Sequence, residues 1–283
     1  MLLLSSDKKL QKYFMPEFFI TINTNKICVH VFGSGPRLLI AFHGFKESGD
    51  NFYVFENILG KEYTLYAPDL PYSGSTIWDD AVFEMKELEF LMRTLLDHFG
   101  SDKFTLLGYS MGGRIALCAA AVFISQMEAL VLLAPDGLKV NPWYYFVTQT
   151  KAGHALFHHV VYHHALLHFI IEAGFKLHLT NESIYKFVKM HTDDKEQRML
   201  VYRIWTCMKN LSPDIPGIKK QIKRHHLPVI FIFGKYDRIF PSRHGKIFED
   251  IPTAKILTLD YGHQLLKPET GEEIFRYLSQ NNY

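Results

Sequence analysis

At 283 residues, 48% of them hydrophobic and 21% charged, the chain can bury a large core in one main domain and needs no covalent staple. Its three cysteines, Cys28, Cys118 and Cys207, are odd in number, far apart and without metal-ligand spacing, which argues against a disulfide framework or a zinc site and for a reducing compartment. The net charge of +2 is unevenly divided: residues 136–226 hold 13 Lys and Arg against 7 Asp and Glu, the remainder 18 against 22, and ten of the 15 histidines lie in that middle segment.

The chain begins with Leu2, Leu3 and Leu4 and then charges, too short an apolar run for a secretory signal. No later run reaches the roughly 18 apolar residues of a membrane span, so a soluble, cytoplasmic protein is expected. Residues 17–32 alternate as a hairpin turning near Asn23 to Asn25. Apolar runs rich in β-branched and aromatic residues follow at Arg37–Phe42, Tyr63–Ala67, Lys103–Leu107, Ala129–Leu133, Pro228–Phe233 and Lys255–Leu259. Helices are expected between them at Phe52–Leu59, Ala81–Phe99, Met111–Ile124, Ser242–Asp250 and Glu269–Ser279. Such alternation predicts an α/β fold with a mainly parallel sheet covered by helices.

The alternation breaks once. From about Gly137 to His226 the sequence is helix-like and aromatic-rich without a clear strand. It reads as a helical lid, residues 136–226, inserted into a core made of residues 1–135 and 227–283. An insertion there covers the carboxyl ends of the strands, where open α/β sheets bind ligands.

Chemistry concentrates at the strand ends. Gly108-Tyr109-Ser110-Met111-Gly112 stands between a buried strand and a helix that opens with small residues, the setting in which a sharp turn exposes a serine hydroxyl. Helix capping is the alternative role for Ser110. A serine hydroxyl needs a base within hydrogen-bond reach, and the base needs an acid to orient it. His263 follows the last strand and Asp237 the one before. Asp136 is the rival acid, because it follows the strand Ala129–Leu133, and either Asp237 or His263 could instead be structural. Backbone N–H groups must meet the negative charge that develops on a carbonyl oxygen. Those of Met111 and of Phe45, in the turn His43-Gly44-Phe45, are the candidates.

These segments, with Ala67-Pro68-Asp69-Leu70-Pro71, Gly74, Ser75, Gly234 to Pro241 and Gly262-His263, resemble the α/β-hydrolase fold family over about the whole chain. The resemblance implies an eight-stranded, mainly parallel sheet with a lid after the sixth strand, Ser110 as nucleophile, His263 as base and Asp237 as its partner. It implies the N–H groups of Phe45 and Met111 as oxyanion donors. The family often has Pro-Gly-His-Gly where this chain has Pro71-Tyr72-Ser73-Gly74. Serine rather than aspartate at position 110 directs the reading toward acyl transfer to water. Gly108 to Ala116 is also similar to the menaquinone-pathway enzymes that eliminate pyruvate from a cyclohexene dicarboxylate. There an arginine four residues after the serine helps hold an anionic substrate, which implies that role for Arg114; pairing with a neighbouring carboxylate is the other reading. His43 and Tyr109 join Arg114 as candidate substrate contacts.

In the insertion, His154, His158, His159, His163, His164 and His168 invite a metal reading, but no Asp or Glu lies between Lys151 and Ile171 and the six spread over opposite helix faces. The insertion is apolar enough to settle at a lipid surface, yet no sustained basic amphipathic helix supports that. The basic run Lys219 to His226 reads as a solvated helix face and not as a nucleic-acid site. The expectation is therefore a hydrolase acting on a small acyl or carboxylate substrate by a Ser-His-Asp triad, needing no cofactor, as a monomer or homodimer. A lyase acting on an anionic carboxylate and a non-catalytic binding protein are the alternatives.

Overall fold

The computed structural model describes residues 16–280 apart from 140, 181 and 193, so the reading of the first leucines lies outside the described residues. Eight strands form one sheet in the order β1-β2-β4-β3-β5-β6-β7-β8. β1 (Glu17–Ile22) and β2 (Asn25–Phe32) form the expected hairpin, closed at Ile22 opposite Asn25. β2 is also antiparallel to β4 (Tyr63–Pro68). All later pairings are parallel: β3 (Arg37–Phe42) with β4 and β5 (Phe104–Tyr109), then β6 (Met127–Leu133), β7 (Val229–Gly234) and β8 (Ala254–Leu259) in turn.

Burial explains the sequence pattern. β5 and β7 are buried at every residue because helices cover both faces of the sheet, and their sequences are accordingly continuous apolar runs. β1 and β8, at the edges, are exposed at intervals. From β3 the chain leaves to β4 on one side and crosses back to β5 on the other, which opens a crevice beyond the carboxyl ends of β3 and β5.

Helices around the sheet begin where their caps place them. α1 (Glu56–Leu59) is the end of the expected helix over 52–59; most of that segment is a 3-10 helix, Gly49–Phe55. α2 (Met85–Phe99) starts four residues later than expected, because Glu84 and Glu87 form a reciprocal capping box there. It ends at Gly100, whose φ of +77° suits glycine. α3 (Met111–Phe123) follows β5 directly. The expected helix over 242–250 is instead a 3-10 helix, Ser242–Phe248, with i to i+3 bonds such as His244 N–H to Pro241 O at 2.9 Å.

Between β6 and β7 the chain makes α4 (Pro142–Gln149), α5 (Lys151–Tyr162), α6 (His164–Lys176), α7 (Glu182–Thr192), α8 (Lys195–Cys207) and α9 (Ile215–His225). Side chains of Asn141, Thr150, Asp194 and Asp214 accept backbone N–H groups at the starts of α4, α5, α8 and α9. α5 and α8 share a small apolar cluster of Phe157, Val160, Val161 and Val201, separate from the main core. α9 packs on α3 and buries Ile218 and Ile222 in the main core, so the segment 136–226 ends in a helix of the sheet's own covering layer. α10 (Pro268–Gln280) closes the fold.

α3 can start against the end of β3 only because residue 112 is glycine: a Cβ there would lie 2.0 Å from the Phe42 carbonyl oxygen. Gly112→Ala is therefore expected to lower stability in urea unfolding by about 1–3 kcal/mol or more, as overpacking against backbone does. Gly174, inside α6, has nothing within 4 Å of such a Cβ, and Gly174→Ala should leave stability unchanged or raise it by up to about 1 kcal/mol. Equal effects at the two sites would contradict the packing argument.

Candidate active site

Ser110 joins β5 to α3 with φ +52° and ψ −116°, a conformation rarely adopted by a residue with a side chain. Backbone bonds hold it: its N–H donates to Leu133 O at 2.9 Å, and its carbonyl accepts from Gly113 N and Asp136 N, each at 2.9 Å. The turn thus directs the hydroxyl out of the end of the sheet.

His263, after β8, brings Nε2 to 3.0 Å from Ser110 Oγ, and its Nδ1 lies 2.7 Å from Asp237 Oδ2. The other carboxylate oxygen of Asp237 accepts from the N–H groups of Ile239 and Phe240 at 2.8 and 3.0 Å, which fixes the buried side chain in its loop after β7. With Nδ1–H donated to Asp237, Nε2 is left as an acceptor toward the hydroxyl. Residues far apart in sequence thus make one continuous chain of hydrogen bonds that can move a proton off the serine.

Asp136 is not part of this chain. Its Oδ2 lies 3.5 Å from Arg114 Nε, and the Arg114 guanidinium stacks over the Tyr144 ring at 4.6 Å. Burial alone would make the buried Arg114 easier to deprotonate, but the Asp136 carboxylate and Tyr144 outweigh it and hold the charge. Arg114 also lines the cavity, so it stands beside both this carboxylate and the space open to a substrate.

His43 differs from expectation. It is fully buried, its Nε2 accepts from Leu70 N at 2.9 Å and its Nδ1 donates to Gly44 O at 2.8 Å. Burial lowers its pKa, in keeping with a neutral ring tying two loops together, and it is not among the residues lining the cavity. The expected substrate contact is corrected to a brace, because backbone groups occupy both ring nitrogens. Tyr109 does line the cavity, but its hydroxyl lies 2.7 Å from Gln264 Oε1 and 3.1 Å from the His263 carbonyl oxygen, within donating reach of either, and braces the loop that carries His263.

A cavity of about 1080 Å³ opens over Ser110. Gly44, Phe45, Ser110, Met111 and His263 form one side, and Tyr144, Tyr145, Val188, Trp205 and Lys209 reach in from the helices between β6 and β7. Phe45 and Met111, whose N–H groups were expected to meet an oxyanion, both border it beside Ser110.

Residues 37–269 match the α/β hydrolase fold family. The chain belongs to the α/β-hydrolase fold family. The uncharacterized hydrolase YugF of Bacillus subtilis is 25% identical over 275 residues, spanning 92% of this chain and 95% of that protein. Among solved structures, the α/β-hydrolase MGS-M2 from a Medee basin deep-sea metagenome has 18% identity and a TM-score of 0.68 over 94% of this chain and 98% of its own. A thermophilic esterase from Thermogutta terrifontis has 17% identity and a TM-score of 0.64 over 95% of this chain and 100% of its own.

In this α/β-hydrolase four histidines between β6 and β7 lie beside other rings: His158 near Tyr162 and Tyr202, His154 near Tyr202, and His159 beside His163. The side chain of His164 lies outside what the structure describes. Among the described residues, one group has metal-ligating atoms close together, Glu17, Cys28 and His30 on β1 and β2, where His30 Nε2 is engaged by Asp69 at 3.2 Å. Among the described residues no helix is long and apolar enough to cross a membrane.

The sequence reading missed Glu47. Its Oε2 accepts from Gly44 N at 3.2 Å, it contacts Gln264, and it lines the cavity. Nothing in its spacing marks it; only the fold brings the loop after β3 against the loop after β8. Burial, partly offset by the Gly44 N–H, His263 and Gln264, pushes its carboxyl up to about 7. A carboxyl raised on folding keeps its proton in the native state while the unfolded chain has lost it, so stability falls as pH rises from the ordinary carboxylate range through about 7. Glu47→Gln should therefore match the wild type in acid and gain on it toward neutrality, by roughly 1–3 kcal/mol, with a constant gap above. Urea unfolding across this range checks it, and a gap independent of pH would count against the buried carboxyl.

Proposed function

We propose that this α/β-hydrolase is a serine hydrolase that cleaves a carboxylic ester through an acyl-enzyme. The observation that carries the reading is the unbroken chain from Asp237 through His263 to Ser110, at 2.7 and 3.0 Å, opening into the cavity. Ser110 Oγ attacks the carbonyl carbon while His263 Nε2 takes its proton, and the carbonyl electron pair moves onto oxygen. The N–H groups of Phe45 and Met111 receive that oxyanion, a contribution of several kcal/mol in comparable sites. Collapse of the intermediate expels the alcohol, which takes the proton from His263. Water then repeats the sequence on the acyl-serine and releases the acid. Asp237 orients the imidazole and balances its charge while it holds the proton. Residues 136–226 act as a lid whose side chains select the acyl and alcohol groups, and the reaction needs no cofactor.

The lyase reading asks Arg114, which lines the cavity, to meet a substrate anion, although its charge is already balanced by the Asp136 carboxylate at 3.5 Å and the Tyr144 face. No observation favours it over ester hydrolysis. A fluorophosphonate probe should label the wild type, and Ser110→Ala and His263→Ala should each lose labelling and ester turnover by at least about 10³-fold. Undiminished labelling of Ser110→Ala would remove it as nucleophile. A wild type that neither labels nor turns over any ester would leave a binding protein on a hydrolase scaffold.

A further inference from the structure

The loop that follows β3 turns back on itself at Gly44-Phe45-Lys46-Glu47, and residue 47 closes the turn twice. Its backbone N–H donates to Gly44 O at 3.3 Å, and its side-chain Oε2 accepts from Gly44 N–H at 3.2 Å. Lys46 takes φ +58°, a left-handed conformation that a side chain disfavours, so the turn needs support from its neighbours to keep its shape. His43 adds a further tie, since its Nδ1 donates to the same Gly44 carbonyl at 2.8 Å. Phe45, whose N–H is the expected oxyanion donor, is carried inside this turn and borders the cavity beside Ser110.

Closing a turn takes only a short polar side chain, as in an Asx turn. Glu47 reaches further. Its carboxyl also contacts the side chain of Gln264, the residue after His263. Gln264 Oε1 lies 2.7 Å from the hydroxyl of Tyr109, the residue before Ser110, and the Tyr109 ring stacks on the His263 imidazole at 5.5 Å between centroids. Gly44 fits between the two groups: a Cβ there would lie 3.0 Å from Glu47 Oε2 and 3.2 Å from the Tyr109 ring. Glu47 thus stands where the segments carrying Phe45, Ser110 and His263 meet. The hydrogen bonds from Asp237 to Ser110 join the last two of these, and Glu47 with Gln264 joins the first to them.

We propose that Glu47 is a positioning residue for the acyl transfer: by clamping the turn of residues 44–47 onto the loop of His263, it holds the Phe45 N–H where the carbonyl oxygen gains its charge. The inference rests on the reading of Ser110 as nucleophile and of the Phe45 N–H as oxyanion donor. Glu47 makes and breaks no bond itself and acts through the turn. Its effect falls on the transition state, because an N–H aimed at developing charge gains strength there and adds little to the binding of a neutral ester. A displacement of about 1 Å in such a group can cost on the order of 100-fold in rate.

Two variants of similar size separate positioning from mere presence. Glu47→Gln keeps a side-chain oxygen for the Gly44 N–H, whereas Glu47→Leu fills the space and leaves that N–H unpaired. On a water-soluble ester, Glu47→Gln should keep kcat within roughly threefold of the wild type, and Glu47→Leu should lose roughly 10- to 100-fold in kcat with KM nearly unchanged. Glu47→Ala, which removes the contacts without adding bulk, should lose kcat as Glu47→Leu does. Affinity for a boronic acid, which forms a tetrahedral adduct on the serine, should fall by the same factor as kcat in Glu47→Leu and hold in Glu47→Gln. Urea unfolding of each variant gives its folded fraction under assay conditions, and kcat is taken per folded molecule. Wild-type kcat in Glu47→Leu and Glu47→Ala, a loss confined to KM, or equal losses in Glu47→Gln and Glu47→Leu overturns the positioning role and leaves the hydrolase reading intact. A wild type that neither turns over the ester nor binds the boronic acid overturns the hydrolase reading and the clamp with it.

Discussion

The left-handed turn at Ser110 is the constraint on which the rest of the site depends. A side-chain-bearing residue in so sparsely populated a conformation costs on the order of 1–3 kcal/mol and persists only where its surroundings over-determine it. Here Leu133, Gly113 and Asp136 supply those surroundings through backbone hydrogen bonds from β6, α3 and the loop after β6. Gly112 allows α3 to begin almost in contact with the end of β3. Any loosening of β3, β5, β6 or α3 would let the turn relax and swing the hydroxyl away from His263. The geometry of the site and the packing of the central sheet are therefore one property.

Three carboxyl groups surround this turn and differ because their partners differ. Asp237 has an imidazole on one oxygen and two backbone N–H groups on the other. Asp136 has a guanidinium. Glu47 has a backbone N–H and a side-chain amide but no positive residue in hydrogen-bond contact, so burial raises its pKa. All three lie in loops at the same end of the sheet, and the identity of the nearest donor, more than distance from Ser110, sets what each can do.

The helices between β6 and β7 answer to a different constraint. Their small cluster of Phe157, Val160, Val161 and Val201 holds α5 and α8 together but leaves α6 with much apolar surface in water. Such an arrangement costs little to deform, since few buried contacts resist it.

The strands and the sharp turn at Ser110 were legible in the sequence because each depends on local chemistry, while Asp237 and His263 were candidates by their places after strands and by the family resemblance. Continuous apolar runs mark strands buried on both faces, and glycine at positions 108, 112 and 113 marks a crowded turn. Helix boundaries were less legible: caps such as Glu84 and Glu87, and short i to i+3 turns at 49–55 and 242–248, decide them. Only the tertiary structure decided which carboxylate meets His263, that His43 is a brace, that Glu47 enters the site and that α9 belongs to the sheet's covering layer. The physical reason is the same in each case. Composition and spacing determine what a residue can do, whereas its partner across the fold, often a backbone group with no signature of its own, determines what it does.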